Sequence, residues 1–380
     1  MKIGIPKEIY KGEKRVAIVP KTVTQLLKDG HKVSIESGAG ANAYFPDTEY
    51  EQVGAVIVKD VQLLYSGADI IMKIQPPQIE EIEMMKNSST YIGFLSSVLD
   101  SKFLDLMNKK SITSFAMEFI PRISRSQSMD ALSSMASIAG YRAVLIAAQY
   151  LGKFFPLLMT AAGTIPPAKV LIVGAGVAGL QAIATARRLG AKVEAFDTRP
   201  AVREQVESLG AQFIEMELVA DAETTAGYAK EMTEEFMKKE RKIIGERAAQ
   251  NHVVITTAQL FGKRAPILIT EEIVKKMQKG SVIIDLAAEQ GGNCEITEPG
   301  KNICKHGVTI CGVLNLPSTL PIDASAMYSR NITQFFKHLY MADDRNLDFE
   351  DKITKSSCVT YNGEIVNDYV SKAIRKGAET

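Results

Sequence analysis

Short apolar runs alternate with segments of helical period along most of the chain. Residues 2–5 and 32–36 read as strands, with a helix from about Thr22 to Asp29 between them and Gly30 as its stop signal. ADIIMKIQPP (Ala68 to Pro77) reads as a buried strand running into a double-proline stop. YIGFLSSV (Tyr91 to Val98) and SITSFAMEFI (Ser111 to Ile120) read as later strands, with a helix around Ser101 to Asn108. The rhythm resumes further on. Val170 to Val173, Lys192 to Phe196, Gln212 to Glu215, HVVITT (His252 to Thr257), SVIIDLAAE (Ser281 to Glu289) and VTICGV (Val308 to Val313) are strand-like. Helices are expected at Ala178 to Leu189, Ala201 to Leu209, Ala229 to Ala249 and near Glu271 to Gln278. Strand alternating with helix predicts parallel sheets covered on both faces.

Between the two halves, Pro121 to Val144 changes from a polar, Ser- and Arg-rich loop to an apolar helix, predicted from about Asp130 to Phe154. The most apolar long stretch, Ala143 to Gly163, contains Gln149, Lys153 and Pro156, so it reads as a buried helix ending near Pro156 rather than a membrane span. Asn315 to Pro321 is a proline-rich exit. Ala324 to Tyr340, with Met327, Tyr328, Phe335 and Phe336, is expected to cross back and pack on the first half.

The stretch from Lys169 to Arg199 carries the clearest chemistry. An apolar strand leads into Gly174, Gly176 and Gly179, in G-x-G-x-x-G spacing, then a small-residue helix closed by Gly190, then a second strand ending at Asp197. This is the dinucleotide fingerprint in its strand–helix–strand context. Gly174 allows the tight turn, Gly176 lets the backbone approach a pyrophosphate, and Gly179 lets helix and strand pack closely. The helix start offers free N–H groups to phosphate. Asp197 is placed to accept from a ribose diol and to repel a 2′-phosphate, which favours NAD, while Arg199 is a cation able to serve a 2′-phosphate. The fold expected is therefore α/β, with two Rossmann-like domains carrying parallel sheets, separated by a cleft and linked by long helices. The domains expected are 1–135 with 318–380, and 136–317.

Composition narrows the class. The chain has 380 residues, 46% hydrophobic and 23% charged, the balance of a soluble globular protein. A net charge of +1 gives no reason to expect nucleic acid or an anionic membrane surface as a partner. Cys294, Cys304, Cys311 and Cys358 form no C-x-x-C pair, and with four histidines no metal cluster is expected. The cysteines read as reduced thiols, and MKIGIPKEI lacks the pattern of a signal or transit peptide.

Other residues admit two readings each. Arg122, Gln127 and Asp130 can hold a carboxamide, phosphate or ribose, or belong to an ordinary solvated loop. Arg15, in the charged loop Lys11 to Pro20, and Lys73 can clamp a substrate carboxylate, or form a salt bridge or snorkel. Asp285 and Glu289 sit at a strand end that suits cofactor contact, though Asp285 can equally cap a turn. Val219 to Tyr228 has no buried period and reads as mobile. Tyr228 there can cover a nucleotide or simply face water. No Ser-His-Asp or Cys-His arrangement is readable.

With PKE…RVAI..P, PRISRSQSMDALSS, AAGTIPPAKVLIVGAGVAGLQAIATARRLGA, ETTAGYAKEMTEEF and GSVIIDLAAEQGGNC, the chain resembles, over essentially its whole length, the NAD(H)-binding alpha component of proton-translocating NAD(P) transhydrogenases. The PRISR-Q-S-x-D loop is the most specific stretch. The resemblance implies that Arg122, Gln127, Asp130 and Ser133 address the nicotinamide. It assigns Gly174, Gly176, Val177, Ala178 and Gly179 to the pyrophosphate, Asp197 to the adenosine ribose, and Gly227 and Tyr228 to a closing loop. Thr198, Arg199, Thr257, Ala258, Leu260 and Glu289 complete the expected cofactor set. Also implied are a homodimer, an NADP(H)-binding partner component, a membrane-spanning proton-channel component, and a place on the cytoplasmic face of the inner membrane through those partners. The activity implied is NAD(P)+ transhydrogenase (Si-face re-specific, proton-translocating), with no metal. The alternatives are an NAD-dependent alanine dehydrogenase, sharing Arg15 and Lys73, and a non-enzymatic NAD-sensing module. The dehydrogenase family has a histidine where this chain has Phe94, and an aspartate where it has Glu289.

Overall fold

The computed structural model describes residues 1–95, 101–216, 234–259, 262–340 and 347–378. The segment 219–228, with Gly227 and Tyr228, as well as Leu260 and positions 96–98, lie outside the described residues. The chain divides into two compact units, Met1–Met135 with Ser318–Thr380, and Ala136–Pro317.

The first unit begins with strands β1 (Lys2–Ile5), β2 (Lys32–Glu36), β3 (Val56–Val58), β4 (Ile70–Met72), β5 (Thr90–Gly93) and β6 (Thr113–Ala116), and helices cross between them. The strand predicted at Ser111 to Ile120 is shorter than expected. After Ala116 the chain turns through a 3₁₀ helix, Met117–Phe119, which buries Met117. Helix Ala131–Tyr150 then leads out of the unit. Its length and composition would allow it to cross a bilayer, but Gly140 packs on the backbone of Ala178, and Ala143, Val144 and Ala147 join the core of the second unit. It ends at Tyr150, earlier than the predicted Phe154.

In the second unit β7 (Leu158–Thr160) and β8 (Gly163–Ile165), which the sequence pattern did not indicate, pair as a separate two-stranded ribbon beyond Pro156. Met159 is 80% exposed there, so this apolar stretch is not buried throughout. The main sheet comprises β9 (Lys169–Val173), β10 (Lys192–Phe196), β11 (Gln212–Ile214), β12 (Val253–Thr256), β13 (Val282–Asp285), β14 (Asn302–Lys305) and β15 (Val308–Gly312). Their order is β11-β10-β9-β12-β13-β15-β14, parallel except for the edge strand β14. The order reverses direction next to β9, so its carboxyl end lies at a topological switch point, where open sheets bind ligands. Residues 170–173 of β9 and the whole of β12 and β13 are buried, which explains their unbroken apolar runs.

The chain returns to the first unit at Ser318, within the 3₁₀ turn Leu316–Thr319 that leads into helix Pro321–Leu339. That helix is stitched to the start of the chain by hydroxyls. Ser325 Oγ accepts from the N–H of Val16 (3.0 Å) and Ser329 Oγ from that of Val19 (3.1 Å). Phe335 packs edge-on against Phe115. Strands β16 (Cys358–Tyr361) and β17 (Glu364–Ile365), which the sequence pattern did not indicate, add antiparallel to the sheet, giving the order β17-β16-β6-β5-β4-β1-β2-β3. Among the described residues, both main sheets are thus mixed but largely parallel, in agreement with the α/β expectation.

Candidate functional site: a dinucleotide loop and an anchored polar loop

The glycine loop follows β9. Gly174 has φ +98, a conformation that favours glycine, and its N–H donates to the Phe196 carbonyl (2.8 Å). A Cβ on Gly179 would lie 1.9 Å from the Gly174 carbonyl oxygen, so helix Val177–Arg188 reaches the strand only because residue 179 is glycine. A Cβ on Gly140 would lie 2.1 Å from the Ala178 carbonyl oxygen, so a second close approach braces the same turn from the other side. Gly176 differs. Among the described residues nothing lies within 4 Å of a Cβ built there, and it N-caps the helix without a side-chain hydrogen bond. Helix geometry leaves the first-turn N–H groups without partners inside the helix, and the positive end of the helix dipole lies there too. Val177 is exposed and Ala178 half-buried beside them. This cradle fits a pyrophosphate.

Asp197 follows β10 directly and is 8% exposed. Its Oδ2 accepts from the Ala175 N–H (2.7 Å) and from Arg199 Nη2 (2.9 Å), and its Oδ1 from the Arg199 N–H and Nε (both 2.9 Å). The carboxylate ties the glycine loop to β10, and its four acceptor sites are engaged. A ribose diol reaches it only by sharing those oxygens or displacing Arg199. Thr198 is half-buried beside them.

A third portion comes from the ends of β12 and β13. Thr257 Oγ1 donates to the Gly174 carbonyl (3.0 Å). Ala258 is gripped on both sides by Asn293, whose Oδ1 accepts from its N–H (3.1 Å) and whose Nδ2 donates to its carbonyl (2.8 Å). Asn293 is set in turn by Asp285. That fully buried carboxylate accepts from Thr256 Oγ1, the N–H groups of Ala287, Asn293 and Cys294, and Thr297 Oγ1. Asp285 is thus the turn-forming group of the two readings. Glu289 is exposed, and its Oε1 accepts from the Asn315 N–H (2.6 Å).

In the first unit, residues 121–130 form a loop closed by a 3₁₀ helix, Ser124–Met129. Ser126 is buried and donates to the carbonyls of Pro121 and Ile123, Met129 is buried, and Asn331 Nδ2 holds the Ser128 carbonyl (2.9 Å). Arg122 and Gln127 are exposed. Asp130 caps helix Ala131–Tyr150, its Oδ1 accepting from the Ser133 N–H (2.8 Å) and its Oδ2 from the Ser133 hydroxyl (2.6 Å). The structure thus joins Asp130 to Ser133 and fixes both.

Arg15 and Lys73 are not presented to solvent, as the loop reading of Arg15 had implied. Arg15 is 3% exposed and binds Glu13 through Nε (2.7 Å) and Nη2 (2.5 Å). Lys73 is fully buried, donating to Glu81 (2.5 Å) with Glu8 at 4.0 Å. Burial raises Glu8 to about 7 against the attraction of Lys73. The cations are neutralised internally, because unpaired buried charge is costly. Phe94 packs on Tyr328 at 5.5 Å. The four histidines are engaged elsewhere, His31 with Phe336, His252 with the Lys169 N–H, His306 with Glu271 and His338 with Asp351. Among the described residues no cluster of His, Cys, Asp and Glu is placed to hold a metal ion.

Sequence reading missed Gly140, Asn293, Arg125 and Asp351. A glycine inside an apolar helix was the available signal for Gly140. Asn293 offered only its place after a glycine pair.

The N-terminal domain model of the alanine dehydrogenase/PNT family matches residues 4–139, and its C-terminal domain model matches residues 143–368. The chain belongs to this family. It is 47% identical over 376 residues to the first portion of NAD(P) transhydrogenase subunit alpha of Rhodospirillum rubrum, covering 97% of this chain and 98% of that one. The crystal structure of transhydrogenase from Sinorhizobium meliloti is similar at TM-score 0.85 and 38% identity, covering 97% of this chain and 100% of that chain. An L-alanine dehydrogenase structure is similar at TM-score 0.83 but 27% identity, covering 99% of each. Within the family the chain therefore stands with the transhydrogenase alpha subunits, and alanine dehydrogenase is a more distant relative.

Proposed function

We propose that this chain is the NAD(H)-binding component of a proton-translocating transhydrogenase. The bound dinucleotide supplies hydride directly to NADP+ held on a partner component, and a membrane-spanning component couples the transfer to proton movement. The observation that carries the reading is the glycine turn before helix Val177–Arg188, whose start has no side-chain cap and where, among the described residues, nothing lies within 4 Å of a Cβ on Gly176. The end-to-end likeness to a transhydrogenase alpha subunit supports the choice of reaction.

In this reading Gly174, Gly176, Val177, Ala178 and Gly179 take the pyrophosphate, and Asp197, Thr198 and Arg199 the adenosine ribose. Thr257, Ala258 and Glu289 complete the pocket, with Leu260, Gly227 and Tyr228 from segments outside the described residues. Arg122, Gln127, Asp130 and Ser133 orient the nicotinamide. Direct transfer needs the two reacting carbons roughly 3–3.5 Å apart, so the work of these residues is alignment and exclusion of water. Hydride leaves and arrives without a proton, so no acid or base is required. That agrees with Phe94, where the dehydrogenase relatives have a histidine and amino-acid oxidation calls for a proton-transferring group, and with the internal pairing of Lys73 and Arg15. A homodimer, Si-face re-specific transfer, and a position on the cytoplasmic face of the inner membrane through the partner components complete the proposal.

Fluorescence titration tests the cofactor choice. NADH is expected to bind at least about tenfold more tightly than NADPH, since a 2′-phosphate meets Asp197, and equal affinities would contradict it. Transfer from NADH to an NADP analogue should require the NADP-binding partner. Alanine-dependent NAD reduction by the chain alone would instead make it an amino-acid dehydrogenase.

A further inference from the structure

The 3₁₀ helix Ser124–Met129 has three residues per turn, so its side chains divide into three faces. Ser126 and Met129 share one face, and both are buried. Ser124 and Gln127 share another, and both are exposed. Arg125 and Ser128 share the third; the Arg125 side chain is tethered to Asp351, in the C-terminal segment of the first unit, and Asn331 of the same segment holds the backbone at the Ser128 carbonyl.

An exposed arginine paired with a surface carboxylate contributes little, because the acid is free to wander. Asp351 is not such a carboxylate. Its side chain is 11% exposed, and it caps helix Lys352–Ser357 by accepting from the N–H groups of Ile353 (2.8 Å) and Thr354 (3.3 Å). His338, on helix Pro321–Leu339, meets the same oxygen at 2.9 Å. Burial works to raise this acid, but Arg125, the two N–H groups and His338 outweigh it and hold it at about 2. Arg125 thus closes on an acceptor already fixed by two helices, far along the chain. A pre-fixed partner of this kind transmits position as well as charge.

We infer that Arg125 and Asp351 form a latch that sets the rotation of the 3₁₀ helix, making Arg125 a positioning residue that aims Gln127 without touching the nucleotide. The inference rests on the proposed role of Gln127. Loss of the latch leaves the glycine loop intact, so dinucleotide affinity is kept while the aim of Gln127 drifts. Misplacement by about 1 Å costs up to about a hundredfold in rate.

The test uses the full chain with its NADP-binding partner, comparing wild type, Arg125→Gln, Arg125→Lys and Asp351→Asn. Arg125 is exposed, so the glutamine variant is expected to fold. NADH affinity should stay within about twofold, while single-turnover hydride transfer falls about fivefold to fiftyfold in Arg125→Gln and Asp351→Asn. Arg125→Lys should recover most of the rate. Amide exchange across residues 121–130 should quicken by about fivefold in the two weakened variants. Unchanged exchange, or unchanged transfer, overturns the latch. Absence of transfer in the wild-type complex overturns the proposed function instead, and the exchange data would not share that failure.

Discussion

The glycine loop after β9 and the loop at residues 121–130 both hold groups at the surface, and they are built in opposite ways. The first depends on backbone. Gly174 needs φ +98 and Gly179 has no room for a Cβ, both within one short stretch, and Gly140 comes from outside it. The second depends on side chains brought from far along the chain, with Asn331 and Asp351, the latter set by His338, holding a polar turn whose composition does not show where it is anchored. A backbone constraint leaves a local signature in sequence. A tertiary anchor leaves none, yet it can hold a site as firmly.

The largest effects should come from breaking the backbone side of this comparison. Gly179→Ala and Gly140→Ala each force a Cβ into a carbonyl oxygen, at 1.9 and 2.1 Å. Either should cost about 3–5 kcal/mol or prevent folding of the second unit, read by urea denaturation. Wild-type stability in either variant would show that the turn relaxes easily and is not set by close approach. Asp285→Ala should follow, at about 3–4 kcal/mol, because five donors lose one buried acceptor. Its NADH affinity should fall as well, since Asn293 no longer sets Ala258. Stability lost without any loss of affinity would separate Asp285 from the site.

A smaller, pH-dependent effect belongs to the first unit. Burial raises Glu118 from 4.5 to about 7, although its carboxylate accepts the Leu95 N–H at 2.8 Å. The folded chain keeps this proton between about pH 4.5 and 7 while the unfolded chain gives it up, so the group costs stability as pH rises through that window. Glu118→Gln stays neutral. Its stability relative to wild type should rise by about 1–3 kcal/mol from pH 5 to pH 8, measured by chemical denaturation. A gap independent of pH would contradict the shift.

The same contrast explains what could be read from the sequence. The fingerprint strand, its helix and Gly190 were legible because turn, period and stop signal are local. The family was legible from contiguous stretches such as PRISRSQSMDALSS. The fate of Arg15 and Lys73 was not, because Glu8 and Glu81 reach Lys73 only through folding and Glu13, beside Arg15, gave no sign of its burial. Nor was the ribbon β7–β8, since an apolar run at the surface has the composition of one in the core. Strands Cys358–Tyr361 and Glu364–Ile365 were too short to show a period, and they form by adding to an existing sheet edge. At Asp197 the residue type suggested a ribose acceptor, but its engagement with Ala175 and Arg199 depends on the turn geometry.

The central claim is that the glycine loop sets nucleotide affinity while the anchored loop sets what happens to the hydride. Gln127→Asn tests it most directly, since Gln127 is exposed and its shortening should leave stability unchanged. NADH titration and single-turnover transfer to an NADP analogue would be measured on the same preparation, reconstituted with the NADP-binding partner. The account predicts affinity within about twofold of wild type and transfer slowed by about tenfold to a hundredfold. Transfer at the wild-type rate, or affinity and rate falling together, would contradict it.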